Sequence, residues 1–331
     1  MRPPKTCVIS VSYRGSVDTA ACLRSLQASA TPARVVVIDT TPNDPLLCSA
    51  LEFTPDVTLI RASGNIGYGR ASNLGIQWAL ENTACEFFLL LNNDAVVFPD
   101  SIEILELAMG RHPEVGIMTP RIAYLNDPEM LWYGGGEIDW RRASAFTPGF
   151  GEAVNAPLAM IERDVTFASG CALFIRRHIA MRLGGFDPRF FMYEEDVELC
   201  LRAVGAGIRI RYIPDALVLH RAQGSSREAS NDREQFWSCQ SASLPFYAFH
   251  VMRNRILNIR LHAHGWNRLV AATFLPLMLA RRAIPFLFGG RVDAVVAMFR
   301  GVADSLRMGN GARLPSMHGN AVNHNSGELR R

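Results

Sequence analysis

With 331 residues, 49% of them hydrophobic and 20% charged, the chain has apolar content for a large packed core, and its overall composition is that of a globular protein and not of a disordered one. Seven scattered cysteines (Cys7, Cys22, Cys48, Cys85, Cys171, Cys200, Cys239) form no C-x-x-C pair, which argues against a zinc ribbon or a disulfide framework and fits a reducing cytosol. The net charge of +3 hides an asymmetry: residues 251–331 hold twelve Arg, no Lys and three acids, about +9, leaving about −6 elsewhere, so this segment is expected to face something anionic, a membrane or nucleic acid.

Met1-Arg2-Pro3-Pro4-Lys5 leads into a strand-like run, not into the apolar core of a signal peptide. Residues 6–13 (TCVISVSY) read as a first strand and 18–28 as a helix with Asp18 at its N-cap. Residues 34–38 form a β-branched strand that ends at Asp39, followed by a turn-rich stretch, 40–45, containing Asp44. Residues 57–61 are a third strand, 64–69 a Gly/Asn loop and 70–81 a helix. Then Phe87-Phe88-Leu89-Leu90-Leu91 runs abruptly into Asn92-Asn93-Asp94. Such an unbroken apolar run fits a strand buried on both faces of a parallel sheet. Pro99 is placed to open the next helix, where a missing N–H costs little.

The β-α-β-α-β alternation implies a mostly parallel sheet with right-handed crossovers, and Asp39 and Asp94 then end strands on one edge. Ligands of open α/β sheets sit beyond the carboxyl ends of the strands. A carboxylate there suits Mg²⁺ or Mn²⁺, although Asn and Asp also favour turns.

Farther on, residues 115–150 read as irregular loops around a cleft, with Gly134-Gly135-Gly136, Trp132, Tyr133 and Trp140. Residues 165–176 are strand-like, interrupted by Ser169-Gly170; 178–183 and 194–203 are helical; 207–213 and 216–220 are two short strands, the second ending at His220. Residues 225–243 are polar and loop-like, and 246–260 is a basic, apolar helix. The apolar pieces 269–280 and 283–288 are divided by Arg281-Arg282, and neither reaches the roughly 20 residues of a membrane span. Two readings stand for this region: an interfacial segment, or a helix pair packed on the main domain with its Arg residues solvated.

The ordered set — Asp39 after the second strand, the Gly64–Gly69 loop, Leu91-Asn92-Asn93-Asp94, Gly184-Gly185-Phe186-Asp187 with Phe190-Phe191, Glu194-Glu195-Asp196, and His220 — resembles the family 2 glycosyltransferases. Within that family it looks most like the bacterial rhamnosyltransferases of cell-wall and O-antigen assembly. The resemblance covers residues 6–225 and, more loosely, Tyr247 and Arg253-Asn254. It implies the α/β GT-A fold, with a Rossmann-like sheet flanked by helices and a helical C-terminal appendage. The catalytic domain would be 1–225, with a nucleotide-sugar half of about 1–115 and an acceptor half of about 116–225. A basic, apolar helical region, 226–331, would end in a flexible tail from about 309.

The resemblance also implies roles. Asp94 would hold a divalent ion, Mn²⁺ or Mg²⁺, that bridges the donor's phosphates; Asn92 stands where the family has a first acid. His220 would complete the metal shell, or be a structural histidine. Tyr13, Asp39, Asn65, Arg70, Asn73 and Asn93 would meet the nucleotide-sugar donor, with Tyr13 open to a core role as well. Ser169, Gly170 and Cys171 would line the sugar and acceptor cleft. Asp196 would be the general base of an inverting transfer, Glu195 would orient it or the acceptor, and Glu194 would be a surface acid. Rhamnose from dTDP-rhamnose is the first expectation for the donor, with other hexosyl and N-acetylhexosaminyl groups as alternatives. A saccharide, free or on a polyprenyl diphosphate at the inner membrane face, would be the acceptor. Two other classes remain. A sugar nucleotidyltransferase lacks its Gly-rich, Arg-containing loop here, and a non-catalytic carbohydrate binder would have lost Asp94 and Asp196. Nucleic acid is an unsuitable partner, because the basic region is apolar and shows no stacking platform.

Overall fold

The computed structural model describes residues 3–41, 47, 57–222 and 238–309. The turn with Asp44, most of the polar stretch 225–243 and the tail beyond 309 lie outside the described residues. The first quarter builds four parallel strands: β1 (Thr6–Ser12), β2 (Arg34–Asp39), β3 (Val57–Arg61) and β4 (Phe87–Asn92). β1 lies between β2 and β4, and β3 continues beyond β2. Phe87 through Leu91 are at most 5% exposed. Each such side chain contributes roughly 1.5–3 kcal/mol by burial, so a strand covered on both faces can be apolar at every position. Helices α1 (Ser16–Gln27) and α2 (Tyr68–Asn82) are the crossovers. α2 lies directly on the sheet at Gly75, where a Cβ would stand 2.4 Å from an Ile9 methyl carbon. In register, Ser12 sits opposite Asp39 and Val11 opposite Asn92, so Asp39, Asn92 and the loop after β1 end together on one edge.

The second half mixes directions. β5 (Ala95–Val97), α3 (Ser101–Arg111), β6 (Val115–Tyr124), β7 (Leu131–Tyr133), β8 (Glu137–Asp139) and β9 (Ser144–Phe146) come first. They are followed by β10 (Arg163–Val165), β11 (Ala172–Arg176), α4 (Arg177–Leu183), α5 (Glu195–Gly205) and β12 (Arg209–His220). Among the described residues the main sheet runs β10-β12-β6-β11-β4-β1-β2-β3, with β5 on β12 and β7 on β6. β11 is antiparallel to both neighbours, whereas β12 runs parallel to β6. Pairing of β12 with β5 sets His220 against Ala95, the residue after Asp94.

Several expectations are corrected. Residues 115–150 contain the ten-residue strand β6 and three short strands, not only loops. The two short strands before His220 are one, β12, with a register shift between Ile213 and Leu217. Pro214-Asp215 falls in that irregularity, where a missing ladder donor is tolerated. Asp18 is not the cap of α1; Gly15 is, and Asp18 lies in the first turn, paired with Arg221 at 2.9 Å. Pro99 precedes Asp100, the cap of α3, instead of opening the helix.

The C-terminal region is a three-helix layer: α6 (Leu244–His262), α7 (Gly265–Phe288) and α8 (Val292–Arg307). The two apolar pieces expected here form one continuous helix, α7, running through Arg281-Arg282 and containing Pro276 and Pro285. Ala271, Met278 and Phe286 are buried on its inner stripe, and Met278 and Phe286 join Leu244, Ala248, Met252, Ile256, Ala294 and Met298 in a second small core. Trp266, Leu269, Leu277, Ile284, Leu287 and Phe288 are exposed on the outer side, Phe288 by 91%. By length and composition α7 could cross a membrane, yet only 22% of its apolar window is buried within the protein. α8 packs tightly on α6 at Gly301, where a Cβ would meet the Phe249 carbonyl oxygen at 2.3 Å.

Candidate active site

A cavity of about 440 Å³ opens at the carboxyl edge of β1 and β4, in the size range of small-molecule sites. Its walls come from four places. The β1–β4 half gives Tyr13, Asn65, Tyr68 and Asn92-Asn93-Asp94; the β6–β12 half gives Trp132, Ser169-Gly170-Cys171 and His220. The turn into α5 gives Met192 through Val197, and α6 gives Tyr247, Val251 and Arg255.

One corner is a matched pair. His220 Nε2 lies 3.1 Å from Asp94 Oδ1, and the Asn92 amide nitrogen lies 3.4 Å from the same ring nitrogen. The Trp132 ring stands edge-on to the imidazole at 4.6 Å. Burial disfavours the charged form of both groups. Their mutual attraction outweighs it, holding Asp94 below the usual carboxylate range and His220 well above the usual imidazole value. Two neighbouring ligands of one ion, each about 2.1–2.2 Å from it, stand about 3 Å apart, which is the separation of these atoms. Among the described residues no cluster of three or more His, Cys, Asp or Glu could hold a metal by itself. With the Nε2 proton released, the pair could offer two donor atoms to a divalent ion, whose remaining positions would fall to water or a bound ligand, the habit of Mg²⁺ and related hard ions.

The opposite corner is under-satisfied. Asp196 accepts from the Gly170 N–H at 2.9 Å and the Val197 N–H at 2.9 Å. Glu195 is 7% exposed, and its Oε2 has no hydrogen-bond partner among the described residues. Burial pushes the Glu195 carboxyl up to about 8, and the charge of Asp196 adds to it. Burial likewise pushes Asp196 up to about 6, against the pull of the Gly170 donor and with the push of Glu194. Near neutrality the pair holds a single proton, which suits a proton acceptor beside a hydrogen-bond donor.

The turn that delivers these acids is held from α6. Tyr193 and Glu194 have φ of 65° and 66°, a left-handed conformation that non-glycine residues adopt only when held there. Asn254 donates from one amide to the carbonyls of Met192 (2.9 Å) and Tyr193 (2.7 Å), and Asn258 donates to that of Glu194 (3.3 Å). Arg255 Nε donates to Glu194 Oε1 at 2.7 Å. Glu194 is thus not the surface acid expected from sequence; it is 9% exposed and ion-paired. One turn on, Glu198 is gripped by Arg202 at 2.7 Å and His262 at 3.1 Å, which ties α5 to the end of α6.

The remaining candidates divide. Tyr13 and Asn65 line the cavity, with the Arg14 guanidinium 5.3 Å from the Tyr13 ring centre. Asp39 is buried just behind Thr40 and accepts from the Thr41 N–H at 2.8 Å. Asn93 borders the cavity but spends its amide on Thr19 Oγ1 (3.0 Å) and the Gly15 carbonyl (3.3 Å), fixing the start of α1. Arg70 is exposed and donates to the Pro188 carbonyl at 2.8 Å, and Asn73 clasps both backbone groups of Phe186 at 2.8 Å. These two brace the turn before α5, and neither lines the cavity. Ser169 accepts from the Cys171 N–H at 3.2 Å, and the Tyr68 hydroxyl donates to Gly170 O at 2.8 Å. Tyr68, Asn258 and Arg255 are not singled out by the sequence, whereas Trp132, expected beside a cleft, lines the cavity. The bracing helix itself is expected over 246–260, with Tyr247 and Arg253-Asn254 as its sequence traces.

Comparisons with known proteins identify the family and the fold. Residues 3–240 match the model of a family described as "Glycosyltransferase like family 2". The chain is 31% identical over 248 residues to an N-acetylglucosaminyl-diphospho-decaprenol L-rhamnosyltransferase of Mycobacterium tuberculosis, covering 68% of this chain and 78% of that protein. Its fold is similar to that of S. aureus TarS 1-349 solved with UDP-GlcNAc (TM-score 0.56, 14% identity, 91% of this chain and 80% of that one). It is also similar to the mannosyltransferase PcManGT of Pyrobaculum calidifontis solved with GDP-Man and Mn²⁺ (TM-score 0.53, 14% identity, 93% and 88%). With the family model matching most of its length and the sheet arranged as in these neighbours, the chain belongs to glycosyltransferase family 2 and is a GT-A glycosyltransferase of rhamnosyltransferase-like type.

Proposed function

We propose that this enzyme transfers L-rhamnose from dTDP-rhamnose, with inversion, to a saccharide carried on a polyprenyl diphosphate, in cell-surface polysaccharide synthesis at the cytoplasmic membrane face. The observation that carries the reading is the meeting, in one cavity, of the charge-holding Asp94–His220 pair and the proton-accepting Glu195–Asp196 pair. The printed name of the mycobacterial relative supports the choice of sugar and acceptor. The exposed apolar side of α7, flanked by Arg268 and Arg281, supports contact with a membrane surface.

Asp94 and His220 would hold the divalent ion. Once bound, that ion neutralises the negative charge developing on the nucleoside diphosphate as it leaves. Tyr13, Asn65 and the buried Asp39 edge would take the nucleoside. Asp196, fixed by the Gly170 N–H, takes the proton of the acceptor hydroxyl as that oxygen attacks the anomeric carbon. The bond from that carbon to the diphosphate breaks in the same displacement, so the configuration inverts. Glu195, carrying the shared proton, donates toward the acceptor or Asp196.

The test is incubation with dTDP-rhamnose, Mn²⁺ and N-acetylglucosaminyl-diphospho-lipid, with other nucleotide-sugars in parallel. Rhamnosylated lipid and free dTDP are the expected products. Transfer from none of the donors, with diphosphate released from a nucleoside triphosphate and a sugar phosphate, would instead identify a nucleotidyltransferase.

A further inference from the structure

The inner stripe of α7 is apolar at Ala271, Leu275, Met278 and Phe286, but one position on it is a cation, Arg282. An α-helix returns to the same face every three or four residues, so Arg281 points out to solvent while Arg282 turns in. Burying part of a guanidinium along an apolar stripe is costly without a compensating anion. Three other arginines on and around α6 have theirs: Arg255 pairs with Glu194, Arg253 with Asp304 and Arg189 with Asp187. Among the described residues no carboxylate pairs with Arg282; its Nη1 lies 3.4 Å from the Tyr247 hydroxyl. Tyr247 lines the cavity, and its ring meets that of Tyr193 at 5.3 Å, two residues before Glu195. Arg282 therefore stands one hydroxyl away from the cavity, on the helix whose other side exposes Leu277, Ile284, Leu287 and Phe288.

We propose that Arg282, with the Tyr247 hydroxyl, is the subsite for the acceptor's diphosphate. The acceptor sugar would then lie toward Glu195 and Asp196, and the isoprenoid would run outward along α7. This rests on the acceptor class proposed above. The order of the protein's groups, acids then cation then apolar surface, repeats the order of a saccharide, a diphosphate and a lipid. A planar guanidinium fits phosphate oxygens with two parallel donors, which an ammonium cannot do.

The test measures binding of farnesyl diphosphate, farnesol and inorganic diphosphate to the 331-residue chain in EDTA, so that the metal corner cannot capture the diphosphate. Wild type should bind farnesyl diphosphate at least tenfold more tightly than either of the others. Arg282→Gln should lose that preference while binding farnesol as before. Arg281→Gln should keep it, and Arg282→Lys, which retains the charge without the fork, should fall between. Unchanged farnesyl diphosphate binding in Arg282→Gln, or no preference over farnesol or inorganic diphosphate in wild type, overturns the assignment. The same samples are then heated with dTDP-rhamnose and other nucleotide-sugars in Mn²⁺. Donor-dependent stabilisation alongside a failed Arg282 result removes only this inference. Absence of stabilisation by every donor removes the proposed function as well.

Discussion

The two carboxylate corners of the cavity are built on opposite principles. Asp94 is buried against a histidine, so each charge stabilises the other and the pair stays ionised. Glu195 and Asp196 are buried side by side with backbone donors and no nearby cation of their own, so one proton stays on the pair. The first arrangement is a self-neutralised ion pair that a divalent ion could enter only by displacing the imidazole proton, and the second makes a proton easy to move. Identical side-chain chemistry is thus divided by environment into a carboxylate kept ionised and a carboxyl pair kept partly protonated.

The sharpest way to break the contrast is Asp196→Asn, which keeps the shape and the Gly170 contact side but cannot accept a proton. A fall in kcat of roughly 10²–10⁴-fold is expected, the usual contribution of a general base. Donor-dependent stabilisation should survive, because it belongs to the other corner. Near-normal kcat in single-turnover assays would remove Asp196 from the base role.

The support of the acid corner can be broken separately. Arg255→Met leaves Glu194 buried without its cation, a change that costs about 3–5 kcal/mol when such pairs are split. Chemical denaturation should register that loss, and the double change Glu194→Gln with Arg255→Met should recover much of it. Destabilisation of the double variant equal to that of the single one would mean that Arg255 acts through packing and not through Glu194.

At the anchor, Asp94→Asn should weaken Mn²⁺-dependent donor binding by at least tenfold, since loss of even an outer partner of a metal ligand costs that much. The Asn92 position makes this test informative. Asn92 is an amide, so on the proposed reading only Asp94 and His220 would hold the ion, and calorimetric titration of metal with and without nucleotide separates the two contributions. Equal donor affinity in EDTA and in Mn²⁺ would show that the corner binds the diphosphate without an ion.

The anchor was more legible in the sequence than the acid corner, for physical reasons. Phe87 to Asn92 signals a two-sided buried strand by itself, and the parallel alternation fixes where such a strand ends. The acid triplet at 194–196 gives no such local sign, because any of three adjacent acids at a helix start can be the solvated one. Which one is paired depends on Arg255, sixty-one residues later, and on backbone that turns left-handed only because Asn254 and Asn258 hold it. β6 was missed because Gly116 and Pro120 break its pattern, although both are accommodated inside the sheet. α7 was cut in two for a related reason. A linear scan sees Arg281-Arg282 as a break, whereas the helical period sends the two side chains to different faces.

The smallest expected effect concerns pH and is read through Glu195 at the acid corner. Glu195 is raised from an ordinary 4.5 to about 8, so the folded chain binds this proton more tightly than the unfolded chain does. Stability from this group is therefore fully present at acidic pH and is lost as pH rises from about 4.5 through about 8. The other corner has the opposite sign for its carboxylate: Asp94, lowered by His220, loses its contribution only when pH falls below the ordinary aspartate range, whereas His220, raised by Asp94, adds to the fall above the ordinary histidine range in wild type and variant alike. Glu195→Gln should flatten the fall in Tm between pH 5 and pH 8 and raise the Tm at pH 8 relative to wild type, with little change at pH 5. A wild-type Tm that climbs across that window and is unaltered in slope by Glu195→Gln would mean that the buried carboxyl is ionised throughout, and the division between the two corners would then need another cause than desolvation.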